Sequence, residues 1–404
     1  MKALTNEKQA SGVDEPRPRL QIALSFFAFI LIGANDGAVG VLLPSMMFHY
    51  SVNKGTIGLV FLSATLGFLI SALNSGLLVA KLGPRRYLML GTAFILLSMC
   101  IISLAPPFLV FVAMLLPLGF GVAVIDAGLN AYIAGLPRNT ALLNYLHAFY
   151  GAGALLGPIV ASGLLALRVD WNHVYYVWIG MSLIVLIGVG LVFKNRHAAE
   201  PEGVQANLAV SNVLFDALKL RVVWIAALFL VFYTGTEVSL GSWSYSFLTE
   251  ARGGPTLLSG WVVSGYWLGL TLGRIFLGHV AQRVGRKRLI EGCLLGVIAG
   301  VLLVWLVPAE AVSAVGLCFT GFCLGPIFPT TISLTSELVS GRILASAIGF
   351  LSSMGSVSVA FFPWLAGNLA QQFGLRVLLP YVIILTVVMI GLWLALRAHP
   401  PTAE

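Results

Sequence analysis

Twelve apolar runs, each at least 19 residues long and separated by short polar turns, limit what this chain can fold into. They cover positions 20–48, 56–80, 87–105, 108–136, 141–167, 173–193, 222–248, 257–282, 289–307, 311–338, 343–370 and 376–397. About 20 apolar residues suffice for a helix to cross a bilayer, and the runs lack the strict alternation of barrel strands. Only 9% of the chain is charged, against about 25% in a soluble domain. The expected fold class is an all-α membrane protein with twelve transmembrane helices, the lipid bilayer being its first partner. The first run is too long for a signal-peptide core and is expected to remain as span one.

A polar interruption from Lys194 to Arg221 divides the spans six and six. The expected organisation is a tail (1–19), a first six-helix bundle (20–193), a linker (194–221), a second bundle (222–397) and a short tail (398–404). The halves also repeat. A shift of 202 residues lays Gly76–Arg86 (GLLVAKLGPRR) over Gly278–Arg288 (GHVAQRVGRKR), Gly119-Phe120 over Gly321-Phe322, and Gly153 over Gly355. One offset serving spans two, four and five argues for a duplicated unit, an architecture known among transporters.

Basic residues set the orientation. With both termini in the cytoplasm, eighteen Lys and Arg fall on inside segments and four (Lys54, Arg168, Arg252, Arg376) outside, leaving Arg274 within a span. The same distribution accounts for the net charge of +8 without nucleic acid. The four cysteines lie in apolar segments and read as core residues rather than disulfides or metal ligands.

The informative residues are polar ones inside the spans, where a charge costs about 2.5–3.5 kcal/mol on insertion scales. Asp126 and Asn130 stand four apart in span four and share a face. Asp126 lies roughly 15 Å in from the inner end at 1.5 Å per residue, a depth at which a carboxyl can carry a proton or tie two helices together. His147 and Tyr150 enter span five from the same side; either could bind solute or serve packing. The repeat places Asn35 over Glu237, so Asn35-Asp36 and Glu237 reach similar depth from opposite halves, as a midplane site requires. Trp243 could stack on a solute or anchor the helix at the interface. Arg274 and Glu337, both in the inner half, are expected to form a structural ion pair. Gly151-Ala152-Gly153-Ala154 lies within a span and reads as close helix packing, not a phosphate loop.

The twelve-span layout and the paired basic loops resemble the major facilitator superfamily, over nearly the whole chain. Ala80 and Gln282 stand where the family's loop carries Asp, removing in both halves the acid of its gating salt bridge. Asp126-x3-Asn130, Leu146–Ala154 (LHAFYGAGA) and Gly235-Thr236-Glu237-Val238 with Trp243 are similar to fucose permease-type sugar:cation symporters and their sodium-dependent glucose transporter-like and fungal bypass-of-stop-codon relatives. That resemblance implies proton coupling at Asp126 and substrate contact at Asn130.

The chain shows no nucleophile triad, zinc spacing or nucleotide loop, so an enzyme is not expected, nor a cofactor. The expectation is a monomeric plasma-membrane transporter of a small polar solute, a sugar first, working by alternating access with a cation, H+ ahead of Na+. Asp126 and His147 are the proton-coupling candidates, and Asn35, Asp36, Asn130, Tyr150, Glu237 and Trp243 the solute contacts. The rivals are an exporter of drugs or amphipathic molecules, which would need an apolar cavity, and a non-transporting receptor, for which the short tails leave no signalling domain.

Overall fold

The structure, a computed structural model, describes residues 18–136, 139–193 and 215–398. Most of the two expected tails and most of the linker, with Lys2, Lys8, Arg17, Arg138, Lys194 and Arg196, lie outside the described residues. What is described is helical, with no strand.

Span one is Pro18–Tyr50, four is Phe108–Ala134, five is Asn139–Ala166 and six is Val174–Val192. Spans two and three form one helix, Leu59–Ser103, broken at Gly83. In the second half, span seven is Arg221–Ser246, eight is Thr256–Val284 and nine is Arg286–Leu306. Span ten is interrupted, Glu310–Leu324 and Ile327–Leu338, because Pro326 removes a helix donor. Eleven is Gly341–Phe373 and twelve is Leu378–Arg397. A separate turn, Lys54–Ile57, precedes span two and is capped by Asn53, whose Oδ1 accepts from the Thr56 N–H at 2.8 Å.

The 202-residue repeat holds at the level of atoms. Gly83 and Gly285 both take positive φ, 73° and 90°, where the chain turns out of spans two and eight; few other residues adopt that conformation cheaply. The packing repeats too. A methyl group on Gly67 would lie 1.9 Å from the Leu116 carbonyl oxygen, and one on Gly269 2.0 Å from that of Cys318. Adding 202 converts the first pair into the second. Without side chains at these points the helix backbones touch, which is how spans associate where lipid offers no hydrophobic drive. Gly67→Ala and Gly269→Ala are each expected to cost about 1–3 kcal/mol by overpacking, read as a lower Tm of the purified protein.

Spans one and five meet in the same way. Gly33 and Gly37 approach the carbonyls of Tyr150 and Ala154, and Gly153 and Gly157 approach those of Ile30 and Ala34. The Gly-Ala stretch of span five thus packs helix on helix. Cys293 and Cys323 are buried, where the repeat puts the close Gly91–Gly121 contact of the first half. Cys100, by contrast, is exposed, and not every cysteine is a core residue.

The halves meet through spans one and seven, two and eleven, and five and eight. On the face opposite the basic loops, Lys54 Nζ pairs with Glu250 at 2.8 Å and the Lys54 N–H donates to Gln371 Oε1 at 3.1 Å. Both contacts join the two halves, so the halves are sealed on that face.

Candidate functional site

Polar side chains from five spans converge near the middle of the molecule. On span one, Asp36 accepts from its neighbour Asn35 (Nδ2 to Oδ1, 3.2 Å) and from the Tyr150 hydroxyl of span five (Oη to Oδ2, 3.1 Å). Asn35 is buried, whereas Asp36 is exposed although both neighbouring turns of its helix are packed. It therefore opens onto internal space. On span four, Asn130 Nδ2 donates to Asp126 Oδ1 at 3.0 Å, the contact that a four-residue spacing on one helix face requires. Asp126 is half-buried and within electrostatic reach of Asp36.

The second half contributes Glu237 of span seven and Arg274 of span eight, paired at 3.2 Å. Only 12% of the Glu237 side chain is exposed, against 37% for Arg274, so the acid is shielded while its partner keeps contact with open space. Tyr150 connects the halves: it bonds Asp36 and lies within electrostatic reach of Glu237 and Arg274.

A cavity of about 290 Å³ lies between the halves, beneath the Lys54–Glu250 seal. Asn35, Asp36 and Tyr150 form its polar corner, and Thr65, Ser242 and Ser356 add hydroxyls. The remaining wall is largely apolar, including Met46, Phe61, Phe111 and Leu115.

Two expectations change. Arg274 does not pair with Glu337, which instead takes Arg286 at 2.5 Å. Depth is the reason: Arg286 opens span nine level with the end of span ten, while Arg274 lies twelve residues up the chain, on the order of 18 Å at 1.5 Å per residue. Trp243 does not line the cavity; it is fully buried and its indole N–H donates to the Pro363 carbonyl at 2.9 Å. It locks spans seven and eleven. His147 makes no hydrogen bond to Asp126 among the described residues; its ring stands edge-on to Phe29 at 5.7 Å and within electrostatic reach of Arg274.

Several cavity residues were not anticipated, Trp267 foremost among them. Trp267 of span eight lines the cavity, and its buried Nε1 has no partner among the described residues. The signal was its spacing, since Trp267, Thr271 and Arg274 recur at four and three residues along one helix face.

Two pseudo-symmetric helical halves around a central cavity with a polar corner define a solute-carrier architecture of the membrane. The Major Facilitator Superfamily matches at residues 25–260 and again at 233–404, and the chain belongs to that superfamily. It is 26% identical to "Bypass of stop codon protein 6" of Saccharomyces cerevisiae, over 94% of this chain and 82% of that protein. Identity to the glucose/mannose transporter GlcP of Bacillus subtilis is 22%, over 91% of this chain and 92% of the relative. Among solved structures, the nucleoside transporter NupG aligns with a TM-score of 0.78 at 16% identity, over 94% of this chain and 98% of NupG. A D-xylose–proton symporter aligns at 0.78 and 14%, over 93% and 97%.

Proposed function

We propose that the chain is a cation-coupled transporter of a small hydroxyl-rich solute, a sugar first, with H+ as the coupling ion. The observation that carries coupling is a charge count. Three carboxyls (Asp36, Asp126, Glu237) converge with one guanidinium, Arg274, which Glu237 already holds. Two carboxylates are left over where charge is costly, so taking up a cation or proton removes a penalty. Asp126 carries the proton, and Asn35, Asp36 and Tyr150 receive the solute in the cavity. His147, close to Arg274, is a positioning residue. The basic face is cytoplasmic by the distribution of Lys and Arg, and the plasma membrane is the proposed location. The three segments resembling fucose permease-type symporters, and the sugar-moving relative and neighbour, support the choice of solute.

The test is uptake by the purified protein in liposomes, screening sugars with and without a proton gradient and, separately, a Na+ gradient. Sugar accumulation driven by the proton gradient is expected. The apolar wall of Met46, Phe61, Phe111 and Leu115 favours a second reading, export of an amphipathic molecule. Lipophilic compounds, but no sugar, competing for the site would establish it instead.

The seal gives a separate expectation. Lys54 and Glu250 are partly exposed, and such pairs contribute up to about 1 kcal/mol, roughly a fivefold population shift. Lys54→Glu is expected to raise labelling of a Ser242→Cys reporter, in a background without native cysteines, by an impermeant thiol reagent added on the sealed face. Lys54→Glu combined with Glu250→Lys should return labelling towards the starting level.

A further inference from the structure

A second and larger cavity, about 730 Å³, opens on the basic face inside the second half. Spans eight and ten and the turn before span nine form its wall. Arg274 is at its deep end, and Arg286, Lys287 and Arg288 are at its mouth. Between them, Thr330, Ser333 and Glu337 stand on one face of span ten, at spacings of three and four.

The wall therefore carries four cations and one acid. Arg274 is held by Glu237 from outside the wall, and Arg286 by Glu337. Lys287 and Arg288 are exposed and have no ion pair among the described residues, and Arg274 Nε is buried without a hydrogen-bond partner. Pro326 and Pro329 bring no backbone N–H to their side of the wall. Adjacent unpaired cations with hydroxyls behind them suit an anion of more than one charge better than a single carboxylate.

We propose that this cleft binds a phosphate-bearing group. The phosphate sits on Lys287 and Arg288, and the rest of the ligand lies along Thr330 and Ser333. The volume accommodates a phosphorylated sugar-sized metabolite, and the mouth is also at the level of lipid headgroups, which carry the same chemistry. Arg286 is the link to the transporter: a phosphate that draws it from Glu337 frees the turn after span eight from span ten. The cleft shares no lining residue with the central cavity, although Arg274 at its deep end is also the partner of Glu237, and the proposal assumes nothing about what the central cavity carries.

The full-length protein in neutral detergent is titrated with inorganic phosphate and with a hexose phosphate, against chloride at matched ionic strength, following thermal unfolding. A parallel arm compares nanodiscs of phosphatidylcholine with and without phosphatidic acid, whose phosphomonoester can carry a second charge. A Tm rise of several degrees is expected in at least one arm, the detergent arm identifying a soluble ligand and a nanodisc-only effect a headgroup. Lys287→Gln with Arg288→Gln should weaken binding at least tenfold. For a soluble ligand, Thr330→Val should weaken the hexose phosphate and leave inorganic phosphate unchanged. No shift in either arm, or a shift that survives loss of both mouth cations, would overturn the site.

Discussion

Asp126→Asn is expected to abolish accumulation of solute against its gradient while exchange of internal for external solute continues. The amide preserves shape and can still bond Asn130, whose Nδ2 lies 3.0 Å from the carboxyl, but it cannot take up a proton. The carboxyl does not line the cavity, whereas Asp36 does, so removing its charge should spare solute binding. Asp36→Asn is expected to differ. It disturbs the oxygen that the Tyr150 hydroxyl bonds in the cavity wall, and apparent affinity should fall in exchange as well as in driven uptake. Counterflow and gradient-driven uptake, measured on the same vesicles, separate the two variants. If Asp126→Asn accumulates solute as the native chain does, proton coupling does not reside there.

The second large effect concerns stability. Glu237→Gln leaves Arg274 without its carboxylate at 3.2 Å, in a pair whose acid is 12% exposed. Breaking a buried pair from one side costs about 3–5 kcal/mol. Arg274 is more exposed, at 37%, and faces the wide cleft, so water relieves part of that cost and the lower end of the range is expected. A Tm lower by several degrees should result, with loss of transport. Removing both charges, Glu237→Leu with Arg274→Met, should recover most of the stability and none of the transport. That pattern distinguishes a pair needed for the cycle from one that only holds spans seven and eight together.

Much of the fold could be read from the chain because membrane helices are written in long runs and the two halves are copies. The shift of 202 came from residues in spans two, four and five, and the structure repeats it in the positive φ of Gly83 and Gly285 and in the contacts of Gly67 and Gly269. Small residues carry that information because only they let backbones touch. Partners across helices were harder. Depth placed Arg274 and Glu337 in the same half of the membrane, too coarsely to pair them: Glu337 stands level with Arg286, and Arg274, deeper in its span, meets Glu237. Trp243 and Trp267 show the same limit: both are aromatic and both lie in spans bordering the centre. Packing of the Trp243 ring against Gly367 took it out of the cavity, and helix rotation brought Trp267 in.

The central claim is that solute and protons move together through the site between the halves. The most direct measurement is proton movement itself, followed with a pH-sensitive dye in lightly buffered proteoliposomes given a solute pulse and no imposed proton gradient. Solute entry should carry protons with it, acidifying the lumen in the native protein and not in Asp126→Asn. Solute entering the native vesicles without any pH change would contradict the account.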